Sequence, residues 1–254
     1  MALRKRFENK VVVITGSTEG IGFATAQRIA AEGGSVSVSS RHQEKVDKAI
    51  QLLRDQGYTN TLGRVCDVSK EDDIKDLIQA TVDKFGAIDV LVCNAAVAFG
   101  GPVIKTSSSV WDKTFSVNLK SAFTLTKEVL PYLKQRDGSN IVLISSILGH
   151  SPMPVTGVYS VSKTAMFGLM LALTKELGRY KIRVNAIAPG VIATKMSLGL
   201  RQGSNEDWVM RETPLRRYGQ PEEIASAVAY VSSDEAAYVN GSTIVVGGGL
   251  GSRL

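Results

Sequence analysis

Cysteine and histidine are both scarce in this chain of 254 residues, which has two of each. Two cysteines cannot supply the disulfide framework of a small secreted protein. Cys66 and Cys93 each lie in an apolar run, which favours buried thiols in a reducing compartment. His42 and His150 are far apart and have few potential ligands beside them, so the sequence predicts no metal site. We expect His150 to be a solvated loop residue, and the alternative is a contact with the substrate.

Long apolar runs and clustered charge are also lacking. No run of about eighteen apolar residues is present, so no membrane-spanning helix is predicted. Residues 1–10 lack an apolar core of signal-peptide length, and we expect no signal peptide. The net charge of +6 comes from scattered cations whose one tight cluster is at 4–6. We therefore expect a solvated surface or an anionic small ligand, and no nucleic-acid partner.

Apolar runs alternate regularly with helix-length segments along the chain. Strands are predicted at 11–15, 36–39, 62–66, 88–93, 140–145, 182–188 and 242–246. The helical patterns between them include 21–31, 70–85 and 156–179. Nearly continuous apolar strands are typical of parallel strands buried on both faces. The alternation predicts one α/β domain over 1–254, a Rossmann-type doubly wound parallel sheet of about seven strands flanked by helices.

The segment 195–214 interrupts this alternation. It is polar, contains Gly199 and Gly203, and follows the sixth predicted strand. A long insertion at the carboxyl end of a parallel strand is a common position for a binding lid. We predict a substrate-binding lid here, and the alternative is a plain surface loop.

A glycine-rich loop follows the first predicted strand directly and opens a helix. Such a loop places free N–H groups at a helix N-terminus, where a pyrophosphate binds. Its glycines suit a tight turn, close approach of a ligand and close helix packing. We predict a dinucleotide cofactor in contact with Gly16, Ser17, Thr18, Gly20, Ile21 and Gly22.

The end of the second predicted strand lacks the acidic residue that an NAD site uses to bind the ribose 2′-hydroxyl. No Asp or Glu lies between Glu32 and Glu44. Ser40 occupies the expected position of the acid, and Arg41, which follows it, can pair with a 2′-phosphate. The sequence therefore predicts NADP(H) as the cofactor, with contacts from Ser40, Arg41 and His42.

Tyr159 and Lys163 are four residues apart on a predicted helix, so they share one face. A cation beside a phenol favours the phenolate and lowers its pKa. Such a pair can exchange a proton with a carbonyl or an alcohol near neutral pH. The spacing alone is common on solvated helix faces, so its meaning depends on the rest of the chain.

Taken in order, these motifs resemble the short-chain dehydrogenase/reductase family over nearly the full chain. Asn118 in a Val-Asn-Leu stretch and Ser146 at the end of the fifth strand match that family's remaining catalytic positions. The resemblance implies further cofactor contacts at Asp67, Val68, Asn94, Ala95, Pro189, Gly190, Ile192 and Thr194, besides Tyr159 and Lys163. Cys93, Ala96 and Gly247 depart from the usual residues at their positions, and we expect activity to be kept.

The resemblance also implies a mechanism, in which hydride passes from a nicotinamide to a carbonyl carbon. Tyr159 is expected to donate the proton and Ser146 to stabilise the oxygen, so that both contact the substrate. Lys163 is expected to lower the Tyr159 pKa and to bind the nicotinamide ribose. Asn118 is expected to anchor a water that links Lys163 to solvent.

Within the family, the chain is most similar to the peroxisomal NADPH-dependent carbonyl and retinal reductases. Shared features are Asn-Ala-Ala-Val, Ser-Ser-Arg, a Ser-Pro-x-Pro stretch, a Gly-rich ending and the final Ser252-Arg253-Leu254. That tripeptide resembles the Ser-Lys-Leu peroxisomal signal. The resemblance implies import into peroxisomes through a receptor, the cytoplasm as a second location, and a homotetramer.

The substrate is expected to be a small-molecule carbonyl compound in an apolar cleft, such as an aromatic ketone, an α-dicarbonyl or retinal. Candidate lining residues are Phe99, Ile147, Leu148, Met153, Val155 and apolar residues within 196–210. The alternatives are a 3-oxoacyl-carrier or CoA reductase, a hydroxysteroid dehydrogenase of the same family, or a non-enzymatic NADPH-binding module. An intact set of Asn118, Ser146, Tyr159 and Lys163 argues against the last of these.

Overall fold

The structure, a computed structural model, describes residues 5–201 and 203–250. The Ser252-Arg253-Leu254 tripeptide lies outside these residues. The strands are β1 Val11–Ile14, β2 Ser35–Ser40, β3 Thr61–Val65, β4 Val90–Cys93, β5 Asn140–Ile144, β6 Arg183–Pro189 and β7 Thr243–Val246. A strand is present at every predicted position, which confirms the strand predictions.

Helices connect the strands. They are α1 Gly20–Ala31, α2 Gln43–Asp55, α3 Glu71–Phe85, α4 Ser108–Phe115, α5 Ser121–Leu133, α6 Ile147–His150, α7 Gly157–Leu177, α8 Ser204–Glu212 and α9 Pro221–Ser232. A π-helical segment, Ser116–Lys120, joins α4 to α5. Short 3₁₀ turns are at Val103–Lys105, Gly178–Tyr180, Leu198–Leu200 and Asp234–Ala236. Within the described part of the chain, no helix combines the length and apolar content needed to span a bilayer.

The seven strands form one parallel sheet in the order β3-β2-β1-β4-β5-β6-β7. This is the predicted doubly wound Rossmann-type arrangement, which is confirmed. The strand order reverses between β1 and β4, which pair directly. In such sheets a crevice opens at the carboxyl ends of the strands at this switch point, and ligands bind there.

Alternating side chains of the strands supply two hydrophobic cores, one on each face of the sheet. In β1, Val12 and Ile14 belong to the core beneath α1, α2 and α9, whereas Val13 belongs to the core beneath α3, α5 and α7. All three side chains are fully buried. Burial on both faces explains why the strands appear in the sequence as nearly continuous apolar runs.

Candidate active site

A cavity of about 1280 Å³ lies along the carboxyl edge of the sheet. Drug-sized ligands occupy pockets of about 300–1,000 Å³, so this volume can hold a dinucleotide and a further small molecule. Most of the predicted cofactor and catalytic residues line it. They are Gly16, Thr18, Gly20, Ile21, Ser40, Arg41, His42, Asp67, Val68, Asn94, Ala95, Ser146, Tyr159, Lys163, Pro189, Gly190, Ile192 and Thr194. Ser17, Gly22 and Asn118 are the predicted residues that do not line it.

The glycine loop between β1 and α1 has no room for side chains at two positions. Gly16 has a φ of +61°, and a Cβ there would lie 2.9 Å from the Ala95 Cα. A Cβ on Gly22 would lie 2.5 Å from the Asn94 Nδ2. The loop backbone therefore packs directly on the residues after β4, which leaves its other side open to the cavity. This geometry fits the phosphate-binding loop that the sequence predicts.

Ser17 hydrogen-bonds the glycine loop to β1 and β2. Its Oγ donates to the Ile14 carbonyl at 2.6 Å and accepts from the Ser39 N–H at 3.0 Å. Its own N–H donates to the Ser39 carbonyl at 2.9 Å. The side chain is fully buried. The structure thus places Ser17 in the loop's support, a role that the sequence motif could not distinguish from direct cofactor contact.

Asn94 supports the loop from the side of β4. Its Nδ2 donates to the Thr15 and Gly16 carbonyls, each at 2.9 Å. The Thr15 Oγ1 in turn accepts from the Asn94 and Ala95 N–H groups at 3.1 and 3.2 Å. The two predicted cofactor elements are therefore hydrogen-bonded to each other across the switch point.

At the β2 end of the cavity, Ser40, Arg41 and His42 lie near Asp67. Arg41 is exposed, and its guanidinium takes part in no hydrogen bond or ion pair with residues that the structure describes. Burial acts to raise the pKa of Asp67, but the Ser69 hydrogen bonds and the nearby Lys113 and Arg41 lower it overall. An uncommitted cation at this edge fits the predicted 2′-phosphate contact.

One acidic residue at the mouth of the cavity was not predicted as a site residue. Glu19, in the glycine loop, has its Oε2 2.7 Å from the Lys195 Nζ and its Oε1 3.6 Å from the Lys45 Nζ. These ion pairs connect the loop to α2 and to the first residue of the predicted lid. The Lys195 hydrogen bond lowers the pKa of Glu19, so its charge is retained and compensated by cations.

Tyr159 and Ser146 both line the cavity. Tyr159 is half-buried on α7, and the Ser146 side chain is near enough to lower its pKa. The Ser146 Oγ also accepts the Leu148 N–H at 3.1 Å, because Ser146 caps α6. The Lys163 Nζ lies 5.6 Å from the centre of the Tyr159 ring and donates to the Ile144 carbonyl at 2.7 Å.

Burial controls the protonation of this pair. It raises the pKa of Tyr159 to about 12, against the opposite effect of the Ser146 hydroxyl. It lowers the pKa of Lys163 to about 8. The expectation that Lys163 lowers the Tyr159 pKa stays a prediction, because burial is the largest influence on this pKa in the protein alone. Tyr159 keeps its proton at neutral pH, which is the state that a proton donor requires.

Asn118 lies in the π-helical segment, a local distortion that is frequent at functional sites. Its Nδ2 donates to the Val97 carbonyl at 2.9 Å and to the Ser162 Oγ at 3.0 Å. Its Oδ1 accepts the Val97 N–H at 2.8 Å. The buried side chain thus holds the segment after β4 against α7. The predicted water contact of Asn118 stays a prediction.

Close packing of α6 on α7 fixes the positions of Ser146 and Lys163. The Ser145 Oγ donates to the Lys163 carbonyl at 2.9 Å, and the Thr164 Oγ1 donates to the Gly149 carbonyl at 2.7 Å. A Cβ on Gly149 would lie 2.8 Å from the carbonyl carbon and oxygen of Lys163. Only glycine allows this approach without a backbone shift.

Gly149→Ala is expected to lower the free energy of unfolding by about 1–3 kcal/mol, because the added methyl overpacks the α6–α7 contact. Gly168→Ala is the matched control, since a Cβ at this position of α7 meets nothing within 4 Å. The control is expected to raise stability by about 0.5–1 kcal/mol through helix propensity. Denaturant unfolding of both variants measures the difference. Equal changes in the free energy of unfolding of the two variants would contradict the close packing of α6 on α7.

Apolar side chains line the remainder of the cavity. All five individually predicted cleft residues are among them: Phe99, Ile147, Leu148, Met153 and Val155. The segment 195–214 adds Met196, Leu198, Leu200 and Trp208 to the lining. Trp208 lies on α8, so this segment contains a helix and borders the cavity.

His150 is not the solvated loop residue that we expected. It ends α6, is half-buried, and stacks on Phe167 with ring centroids 4.1 Å apart and planes at 20°. Burial lowers its pKa. Phe167 is distant in sequence, so no local pattern predicts this contact. No cluster of potential metal ligands is found among the residues that the structure describes.

The chain is similar to known proteins over its whole length. Residues 16–251 match a family model described as Enoyl-(Acyl carrier protein) reductase. The chain is 44% identical over 256 residues to human Dehydrogenase/reductase SDR family member 4, covering 100% of this chain and 92% of that protein. It is 44% identical over 254 residues to Tropinone reductase-like 3 of Erythroxylum coca, covering 98% and 96%.

The fold is likewise similar to that of solved enzymes. A gluconate 5-dehydrogenase from Burkholderia cenocepacia, in complex with NADP and tartrate, aligns with a TM-score of 0.93 and 29% identity. The alignment covers 99% of this chain and 98% of that chain.

Proposed function

Because the chain belongs to the short-chain dehydrogenase/reductase family of oxidoreductases, we propose that it is an NADPH-dependent reductase of ketones and aldehydes. The observation that carries the proposal is the pairing of Tyr159 with Ser146, two hydroxyl side chains that both line the cavity. This pair lies in one cavity with the glycine loop and with Arg41. A proton donor, a phosphate-binding loop and a cation suited to a 2′-phosphate thus share a single site.

NADP(H) is the cofactor of the proposed reaction, in agreement with the NADP bound by the solved gluconate 5-dehydrogenase. The residues after β1 would hold the pyrophosphate, and Ser40 and Arg41 the 2′-phosphate. Asp67 and Val68 would contact the adenine, and Pro189, Gly190, Ile192 and Thr194 the nicotinamide. Bound in this way, the reduced nicotinamide supplies a hydride to the carbonyl carbon.

The protein's own part is to polarise the carbonyl group and protonate its oxygen. Ser146 and Tyr159 both direct hydroxyl groups to one place, where the substrate oxygen would accept two hydrogen bonds. Tyr159 then donates its proton as charge develops on that oxygen. The buried ammonium of Lys163 stabilises the phenolate that results, and in the proposal it also binds the nicotinamide ribose. Asn118 holds the wall of the site and anchors the proposed water.

The lining of the cleft favours apolar carbonyl compounds over sugars. Phe99, Val155, Met196 and Leu198 are between 41% and 52% exposed and all line the cavity. Burial of apolar area contributes about 25 cal/mol per Å², so aromatic or alkyl groups gain most from such a surface. We propose aromatic ketones, α-dicarbonyls and retinal as the substrate class, with 195–214 as the lid.

A reductase of acyl-carrier thioesters is the main alternative, and the description of the matching family model is of this kind. An acidic carrier protein would require a basic surface around the cleft. The cavity margin instead carries both signs, with Lys195 and Arg201 alongside Glu212 and Glu222. A hydroxysteroid dehydrogenase would use the same catalytic residues. It would differ from the proposed carbonyl reductase only in its substrate.

Steady-state oxidation of NADPH against a substrate panel tests the proposal. The panel contains an aromatic ketone, an α-dicarbonyl, retinal, a ketosteroid and a 3-oxoacyl thioester. Reduction of at least one of the first three with a kcat/KM at least about tenfold above those for the steroid and the thioester is expected. Preference for the thioester or the steroid would replace the proposal by that alternative. No oxidation with any of them would support a non-enzymatic NADPH-binding module.

We also propose a homotetramer and a peroxisomal location, with the cytoplasm as a second location. Exposed apolar side chains on α4, α5 and α7 support association between copies: Trp111, Phe123 and Leu171 are 38%, 52% and 49% exposed.

The proposed peroxisomal location rests on binding of Ser252-Arg253-Leu254 by an import receptor. Light scattering and the location of a fluorescently tagged chain with and without the tripeptide test the two proposals.

A further inference from the structure

A tight turn follows β7 and brings residue 250 to the cavity. The Leu250 N–H donates to the Gly247 carbonyl at 3.0 Å, which closes the turn. Gly248 and Gly249 have φ values of +62° and +92°, a conformation that side-chain-bearing residues rarely adopt. Glycine at both positions therefore allows the chain to reverse within four residues and to return toward the site.

The turn is held on three sides by elements of the active site. A Cβ on Gly190 would lie 2.8 Å from the Gly247 Cα, so the turn packs directly on the loop after β6. The Gly248 carbonyl accepts the Leu215 N–H at 3.1 Å, just beyond the segment 195–214. A Cβ on Gly247 would lie 3.3 Å from the Ile147 Cγ2, beside Ser146. The turn thus contacts the loop after β6 that is proposed to bind the nicotinamide, the residue just beyond the proposed lid, and the first residue of α6.

These contacts place Leu250 at the substrate end of the cavity. Leu250 is half-buried and lines the same cavity as Ser146 and Tyr159. Its neighbours in the turn contact Gly190 and Ile147, and none contacts Arg41 or Asp67 at the opposite end. Its side chain is apolar, like those that line the rest of the cleft.

We propose that Leu250 is a specificity-determining residue, whose side chain limits the size of the carbonyl compound that the cleft accepts. The inference rests on the proposed function and names one residue that sets its substrate range. Shortening the Leu250 side chain makes room for a ketone with a bulky substituent. The same change removes an apolar contact with a ketone that has a compact substituent. A larger side chain has the opposite effect. Packing of the turn on Gly190 and Ile147 restrains the backbone from adjusting to compensate.

The test compares kcat/KM for a compact and a bulky aryl ketone in wild type, Leu250→Ala and Leu250→Phe. Leu250→Ala is expected to raise the bulky-to-compact ratio by about tenfold, and Leu250→Phe is expected to lower it by about tenfold. NADPH affinity, measured by energy transfer from tryptophan to the bound nicotinamide, is expected to stay within twofold (about 0.4 kcal/mol). Leu52→Ala and Leu52→Phe are the matched controls, since Leu52 is an exposed leucine of α2 that does not line the cavity.

Each outcome decides between support and rejection. Opposite shifts at Leu250 with unchanged ratios at Leu52 support the inference. Equal ratios in all variants overturn it while leaving the proposed function intact, and so do parallel changes at Leu250 and Leu52. A wild-type protein that reduces neither ketone overturns the proposed function and the inference together.

Discussion

Tyr159→Phe is expected to lower kcat for ketone reduction by about 10²–10⁴-fold, the usual contribution of a positioned general acid. The substitution removes one oxygen and leaves the ring in place on α7. In the native protein this phenol keeps its proton because burial raises its pKa to about 12, and it lines the cavity together with Ser146. Without it, Ser146 alone contacts the developing alkoxide, and no group of the site supplies a proton directly.

Binding of NADPH separates this loss from a folding defect. The affinity of Tyr159→Phe for NADPH is expected to remain within a few-fold of wild type, measured by quenching of tryptophan fluorescence. Tyr58→Phe is the matched control, because Tyr58 is also half-buried but does not line the cavity. The control is expected to retain full turnover. Substantial residual reduction by Tyr159→Phe would remove Tyr159 from the role of proton donor.

Arg41→Ala is expected to reduce kcat/KM for NADPH by about 10- to 100-fold and to leave that for NADH nearly unchanged. A hydrogen-bonded contact to a charged group contributes about 1.5–3 kcal/mol, which corresponds to this range. Arg41 is exposed at the cavity and takes part in no hydrogen bond or ion pair with the described residues, so its removal breaks no such contact and weakens only the electrostatic stabilisation of Asp67. Lys45 lines the same end and is expected to preserve part of the affinity.

The matched control for this change is Arg54→Ala. Arg54 is exposed on α2, and it lies outside the cavity lining. Its replacement is expected to alter the ratio of the two cofactors' kcat/KM values by less than about twofold. Comparable kcat/KM values for NADH and NADPH in wild type, or an Arg41→Ala variant with unchanged NADPH affinity, would contradict the assignment of the 2′-phosphate site.

The fold was predictable because its signals are local. Each strand of a parallel sheet is buried on both faces, so β-branched apolar runs such as Val11–Ile14 appear directly in the sequence. The signals for the cofactor are also local. The glycines of the loop indicate its backbone conformation, and the missing acid at the end of β2 indicates the form of the cofactor. Resemblance to a family then supplied Ser146 and Asn118, whose roles no local pattern reveals.

Contacts between residues distant in sequence were not predictable. The glycine motif predicts a cofactor contact for Ser17 and does not reveal that its hydroxyl and N–H bond to Ile14 and Ser39 beneath the loop. The direction of the Tyr159 pKa depends on burial, which the Tyr–Lys spacing does not report. The Glu19–Lys195 pair joins residues that are far apart in sequence and come together only when the sheet is complete.

The most direct test of the proposed activity uses NADPH that is deuterated at both C4 positions. It asks whether deuterium is transferred from this cofactor to an aromatic ketone. The expected product is an alcohol with one deuterium on its carbinol carbon, formed by wild type about 10²–10⁴-fold faster than by Tyr159→Phe. Mass spectrometry of the product detects the label whichever face of the nicotinamide is used. An unlabelled alcohol, or an unchanged ketone beside intact NADPH, would contradict hydride transfer at this site.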